Sequence, residues 1–199
     1  MIRTMTRSLP ALLGLVLIAA LSACATTAPG PSFPEITFAH EPKIRLDVAR
    51  VEFVQQYIPP QQSPNVEHLF ARRPSAVVRR WAEERLEPMG ITRVARVTLL
   101  DASVIVVPLA KKEGLSDLFW KEQTERYDAT LEVKIEIIDA NGKQLAFARG
   151  VAKRSQTVGE DISPNQRRQV WFELTEAVTK DFDAEMERVI RKYLTQYVR

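Results

Sequence analysis

Cysteine, histidine and glycine are scarce: the 199 residues hold one, two and seven of them. A single thiol excludes an intrachain disulfide, so a buried core has to hold the fold. Two histidines, His40 and His68, leave no Cys/His set for a zinc site, and no H-E-x-x-H occurs. Neither phosphate-cradling glycine loop (G-x-x-x-x-G-K-S/T or G-x-G-x-x-G) nor the G-x-S-x-G nucleophile turn is present. No motif names a reaction, so the expectation is a non-enzymatic protein without cofactor or metal.

What is present begins with a leader-like stretch. Residues 1–8 carry Arg3 and Arg7 and no acid, and residues 9–21 (LPALLGLVLIAAL) are apolar and uncharged. The run is shorter than the about 20 apolar residues of a membrane span, and basic-then-apolar is the layout of an export signal. It closes on Leu21-Ser22-Ala23-Cys24. Those four residues resemble the lipobox of bacterial lipoproteins. The resemblance implies cleavage before Cys24, a thioether-linked diacylglyceryl group on its sulfur and an acyl chain on the new N-terminus. One acyl chain binds a bilayer only marginally, at about 0.8 kcal/mol per buried CH₂, whereas several persist. The competing readings are an ordinary signal cut elsewhere and an uncleaved anchor. Ala25, not Asp, follows the cysteine, which by the same resemblance implies the periplasmic face of the outer membrane. Loss of residues 1–23 leaves 176 of 199 residues (199 − 23), enough for one domain with a sizeable core. Loss of Arg3 and Arg7 takes the formal charge from +3 to +1 (3 − 2), so no nucleic acid partner is expected.

Pro29, Pro31, Pro34 and Pro42 mark residues 24–42 as a lipidated flexible tether, with Glu35–Phe38 as a piece able to dock at a sheet edge. Residues 43–57 alternate, with a phase shift after Ala49, which predicts one strand with a bulge. Pro59 and Pro60 stiffen a polar loop, a connector or an interaction site. Val77, Val78, Trp81 and Leu86 predict a helix over 74–87. Arg72, Arg73, Arg79 and Arg80 at its start form a candidate phosphate-binding patch or a solvated face. Residues 93–108 read as β structure split near 100–103, and residues 115–123 as a short helix.

Strict alternation from Tyr127 to Ile137, followed by Asn141-Gly142, predicts a hairpin with a type I′ turn. Folding it there sets Ile137 against Ala146, Ile135 against Ala148, Val133 against Gly150 and Leu131 against Ala152. Large residues then face small ones, a groove that admits a helix. Ser163-Pro164-Asn165-Gln166 has the order of a capping box. The stripe Trp171, Leu174, Val178, Phe182, Met186, Val189, Tyr193 and Tyr197 follows on one long helix. Its last turns, with Tyr193 and Tyr197, are expected to overhang the sheet as a contact site or to fray.

For catalysis little converges. Glu67 and His68 are adjacent, and neighbours in sequence seldom face each other; Asp101 and Asp128 suit turn and cross-strand roles. The element order predicts an α+β two-layer sandwich over residues 43–199: a mainly antiparallel sheet of about four strands under a long C-terminal helix and a shorter one. Behind a lipobox, this order resembles small envelope lipoproteins that assist larger machines. Examples are the auxiliary lipoproteins of lipid-transport ABC systems, the lipopolysaccharide-assembly lipoprotein and the penicillin-binding-protein activators. The resemblance implies membrane attachment through Cys24 and a protein complex of the envelope as partner. Its alternative is a carrier holding lipid or lipopolysaccharide between sheet and helix.

Overall fold

The computed structural model describes residues 32–109 and 123–199. The expected signal peptide, Cys24 and the turn at 111–114 lie outside them, as does nearly all of the helix expected at 115–123. The chain divides into Met1–Ser32 and Phe33–Arg199, and the second unit is the packed body.

Its centre is the hairpin of β6 (Gln123–Ile138) and β7 (Gln144–Gly159). The register is the expected one: Ile137, Ile135, Val133 and Leu131 oppose Ala146, Ala148, Gly150 and Ala152. The turn is not type I′. Only Gly142 has a positive φ, at 81°, and the Asp139 carboxylate accepts from the Asn141 and Lys143 amides, both at 2.9 Å. Asp139 thereby closes a three-residue loop, and a bulge between Ile137 and Ile138 restores the pairing.

The groove is filled as its small residues require. The final helix, α2 (Pro164–Tyr193), buries Leu174, Val178, Phe182, Met186, Val189 and Ile190. A Cβ on Gly150 would lie 2.5 Å from the Met186 sulfur, so the strand and helix approach as closely as glycine permits. The capping box is present: the Gln166 amide donates to Ser163 Oγ at 3.3 Å, and Ser163 N–H donates to Gln166 Oε1 at 2.9 Å. Helix α1 (Pro74–Arg85) packs beside α2, with Trp81 edge-on to Phe182 at 5.0 Å.

The sheet is α+β as expected but mixed and wider. Strand β4 (Val94–Asp101) and β5 (Val104–Pro108) lie end to end along one edge of β6, both antiparallel to it. The split falls at residues 102–103, where Asp101 Oδ1 accepts from the Ser103 amide at 2.9 Å. Strand β2 (Arg50–Gln55) adds parallel to β4.

Residues 43–57 are not one bulged strand. Strand β1 (Ile44–Leu46) pairs in parallel with β3 (Leu86–Pro88) in a separate small sheet, and the phase shift is the turn between two sheets. Because Leu86 enters β3, α1 stops at Arg85 and not at 87. The C-terminus neither overhangs nor frays. Asp47 N–H donates to the Tyr197 carbonyl at 2.8 Å, Arg199 N–H donates to that of Arg45 at 3.0 Å, and Leu194 is fully buried.

The body also starts earlier than a tether of 24–42 allows. Phe33, Ile36 and Phe38 are buried, so residues 33–38 form a strap across the helices. It makes no strand, and its proline content reflects an extended path.

Candidate functional site

Two places gather the residues singled out by sequence. The first lies under the strap. Arg72 and Arg73 precede α1, and Arg80 follows within it, so helical periodicity returns Arg80 toward the arginines at its start. Glu35 of the strap lies between them: Arg72 Nη1 meets Glu35 Oε1 at 2.6 Å, and Arg80 Nη1 donates to Oε2. Arg72 Nε also donates to the Pro34 carbonyl at 2.9 Å. Hydrogen bonding from Arg80, more than the charges of both arginines, holds the Glu35 carboxyl below its ordinary range against the opposing effect of burial. These groups line an open cavity of about 340 Å³ together with Phe70, Ala76 and Val77.

Arg73 lines the same cavity, and its side chain has no hydrogen bond or ion pair among the described residues. Arg79 is elsewhere. Its guanidinium lies over the Phe53 ring of β2 at 4.5 Å. Three of the four arginines therefore form a patch, and one does not.

The second place is the proline loop. Glu67 is buried, 3% exposed, and gathers donors from three segments. Tyr57 Oη donates to it at 2.6 Å, Asn65 Nδ2 at 3.4 Å and the Val104 amide at 3.1 Å. Burial first, then the bond to Glu67, pushes the Tyr57 phenol well above its usual pKa. Tyr57 and Asn65 bracket the loop, so a single carboxylate pins both its ends to β5. The loop presents Ile58, 82% exposed, and Pro60. Pro59 instead turns to a cavity of about 190 Å³ shared with Gln61, His68 and Arg73.

Tyr193 is exposed with the Lys192 ammonium 4.9 Å from its ring centroid. Tyr197 is half-buried, with the Arg93 guanidinium 5.5 Å from its ring. These two tyrosines belong to neither place. Asp101 caps the break after β4, and Asp128 pairs with Arg126 within β6 at 2.8 Å, so the two carboxylates do not converge. Among the described residues no group of three His, Cys, Asp or Glu is placed to hold a metal. No helix among them is long and apolar enough to cross a membrane.

Sequence reading weighed Glu67 only beside His68, took Glu35 only as part of a docking piece, and missed Arg85. Arg85 is fully buried between the helices, with Nε to Asp183 Oδ1 and Nη2 to Glu187 Oε2, both at 2.7 Å. Trp81 Nε1 donates to the same Asp183 oxygen at 2.7 Å, and Arg85 Nη1 has no partner among the described residues. An arginine on the apolar side of α1 was the available signal.

No protein-family model matches this chain, and no curated protein does. Among solved structures it is similar to a minor lipoprotein from Acinetobacter baumannii, a crystal structure at 2.35 Å. The two are 12% identical, the match covers 70% of this chain and 93% of that one, and the TM-score is 0.33.

Proposed function

We propose that the chain is a lipid-anchored, non-enzymatic accessory protein facing the periplasm from the outer membrane, where it binds a protein partner in envelope assembly or transport. The observation that carries the reading is Leu21-Ser22-Ala23-Cys24 after a basic and then apolar leader. The lipid anchors the protein, and the body supplies the contact. Eight residues separate Cys24 from Phe33; fully extended, they reach about 28 Å, so the body works close to the bilayer. The loop carrying Ile58 and Pro60 supplies a contact of the required kind, an apolar tip on a pinned base.

The carrier alternative needs room between sheet and helix. There Val178, Phe182 and Met186 are fully buried against Leu131, Val133 and Ile135, and Met186 abuts Gly150, which favours the scaffold reading.

Growth on radiolabelled palmitate followed by membrane fractionation tests the anchor. The wild-type chain takes up label and sediments with outer membranes, and Cys24→Ser does neither. Label that persists in Cys24→Ser, or none in the wild type, refutes the reading. Photo-cross-linking from position 58 in intact cells then tests the contact surface: one defined protein adduct is expected, and its absence refutes that assignment.

A further inference from the structure

The cavity beneath the strap holds three guanidinium groups and one carboxylate, Arg72, Arg73 and Arg80 against Glu35, an excess of two positive charges. Arg72 and Arg80 each give one nitrogen to the carboxylate, while Nε and Nη2 of Arg72 hold the Pro34 and Phe33 carbonyls; a phosphate accepts the same charge-assisted bonds. Arg73 has no acidic partner among the described residues. The apolar residues that line the same cavity are Ala76, which is exposed, and the edges of Phe70 and Val77, which are otherwise buried. An inorganic anion uses only the charged groups; a phosphate joined to an acyl or alkyl chain uses both.

We propose that this cavity is a binding site for the phosphate of an amphiphile, in which Glu35 is a built-in competitor that the phosphate displaces from Arg72 and Arg80. Arg73 supplies the charge that Glu35 does not satisfy, and this lets a phosphate outcompete a single carboxylate. Glu35 is about half exposed, so it exchanges its partners for water without unfolding the body. The strap's apolar side chains, Phe33, Ile36 and Phe38, are buried and keep their own contacts when Glu35 swings out. The cavity also borders the point where the chain from Cys24 joins the body, since Arg72 holds the Pro34 carbonyl. The choice of a membrane lipid over free phosphate as the source rests on the lipoprotein reading; the anion chemistry does not.

The test uses the purified full-length protein in a neutral maltoside detergent, titrated calorimetrically with inorganic phosphate, dihexanoyl phosphatidic acid and dihexanoyl phosphatidylcholine. Phosphatidic acid is expected to bind at least tenfold more tightly than inorganic phosphate, and the zwitterionic lipid more weakly than the acid. Equal affinity for the first two assigns the site to free phosphate and overturns the amphiphile. The variants carry opposite signs. Arg73→Ala loses roughly tenfold in affinity, about one charge-assisted bond, and being exposed and unpartnered it leaves folding intact. Glu35→Gln gains several-fold, because the competitor is gone. A Glu35 that merely fixes the arginines predicts the reverse, so weaker binding in Glu35→Gln, or no binding of any phosphate to the wild type, overturns the proposal.

Discussion

Removing Asp183 will damage the protein more than removing its partner Arg85, although the two share one ion pair. Arg85 is fully buried, whereas the Asp183 side chain is 14% exposed and that of Glu187 35%. Asp183→Ala deletes the acceptor of both Arg85 Nε and Trp81 Nε1. Two buried donors lose their partner, and a guanidinium that water cannot reach keeps only Glu187. Breaking a buried pair from one side costs about 3–5 kcal/mol, a large part of a typical domain's stability.

Arg85→Met removes the charge together with its need for solvation. It also removes Nη1, which has no partner among the described residues. The carboxylates left behind keep Trp81 and Arg191 as donors and reach water at their exposed edges. Methionine refills most of the volume. The expected cost is smaller than the about 3–5 kcal/mol of Asp183→Ala, because the carboxylates left without Arg85 are the partners that water reaches. Urea unfolding of the two variants and of the double variant measures this by linear extrapolation. Arg85→Met should recover most of the loss in Asp183→Ala, because the stranded charge disappears. If Arg85→Met costs as much as Asp183→Ala, or the two losses simply add, the reasoning from burial is wrong.

Three further outcomes are expected. Gly150→Ala should destabilise by about 1–2 kcal/mol, since the Met186 sulfur lies 2.5 Å from the new Cβ and overpacking outweighs the gain from replacing a strand glycine; pairing it with Met186→Ala should cost less than the sum of the two single losses. Ser163→Ala should cost about 1 kcal/mol by opening the capping box of α2, read as a lower urea midpoint at unchanged slope. Acid should weaken the fold in a defined window. Glu187 is held below its ordinary 4.5 by hydrogen bonding from Arg191 and then Arg85. Burial raises the Glu125 carboxyl more than any one partner lowers it, but the hydrogen bonds from Arg167 and Tyr127 and the Arg167 charge together bring it below its ordinary range. With folded values below unfolded ones, the unfolded state binds more protons between them. This stability is therefore complete above about pH 5 and lost as pH falls through the folded values; a urea midpoint that rises from pH 5 to pH 3 contradicts the assignment.

The hairpin and the long helix were legible because their signals are periodic and local. Alternation fixed which residues of β6 face inward, and Ala146, Ala148, Gly150 and Ala152 announced the groove. Asn141-Gly142 located the turn correctly but not its type, since the deciding group is the Asp139 side chain, which no dipeptide preference contains. What stayed hidden depends on contacts between distant segments. Residues 44–46 and 50–55 look like one interrupted strand until their partners are known, and those partners are 86–88 for one and 94–99 for the other. The parallel β2–β4 pair leaves no hairpin signature. At the site, four arginines in sequence predicted a patch. Only the fold separates Arg79, over Phe53, from the three that line one cavity with Glu35. Glu35 itself sits in a proline-rich stretch that reads as a tether.

That strap is where the balance of forces is closest. Burying Phe33, Ile36 and Phe38 contributes about 1.5–3 kcal/mol each, or roughly 5–9 in all. Ordering residues 33–38 costs about 1–2 kcal/mol per residue, roughly 6–12. The two nearly cancel, so the polar contacts decide whether the strap lies down. Those are Glu35 with its two arginines, and Glu84, which accepts from Thr37 Oγ1 at 2.8 Å and from the Phe38 amide at 2.6 Å. The ion pairs are half exposed and screened by salt, unlike the burial of Met186 or Phe182. Glu84 keeps its contacts with Thr37 and Phe38 when an anion takes the arginines, so the strap stays down while Glu35 alone is displaced.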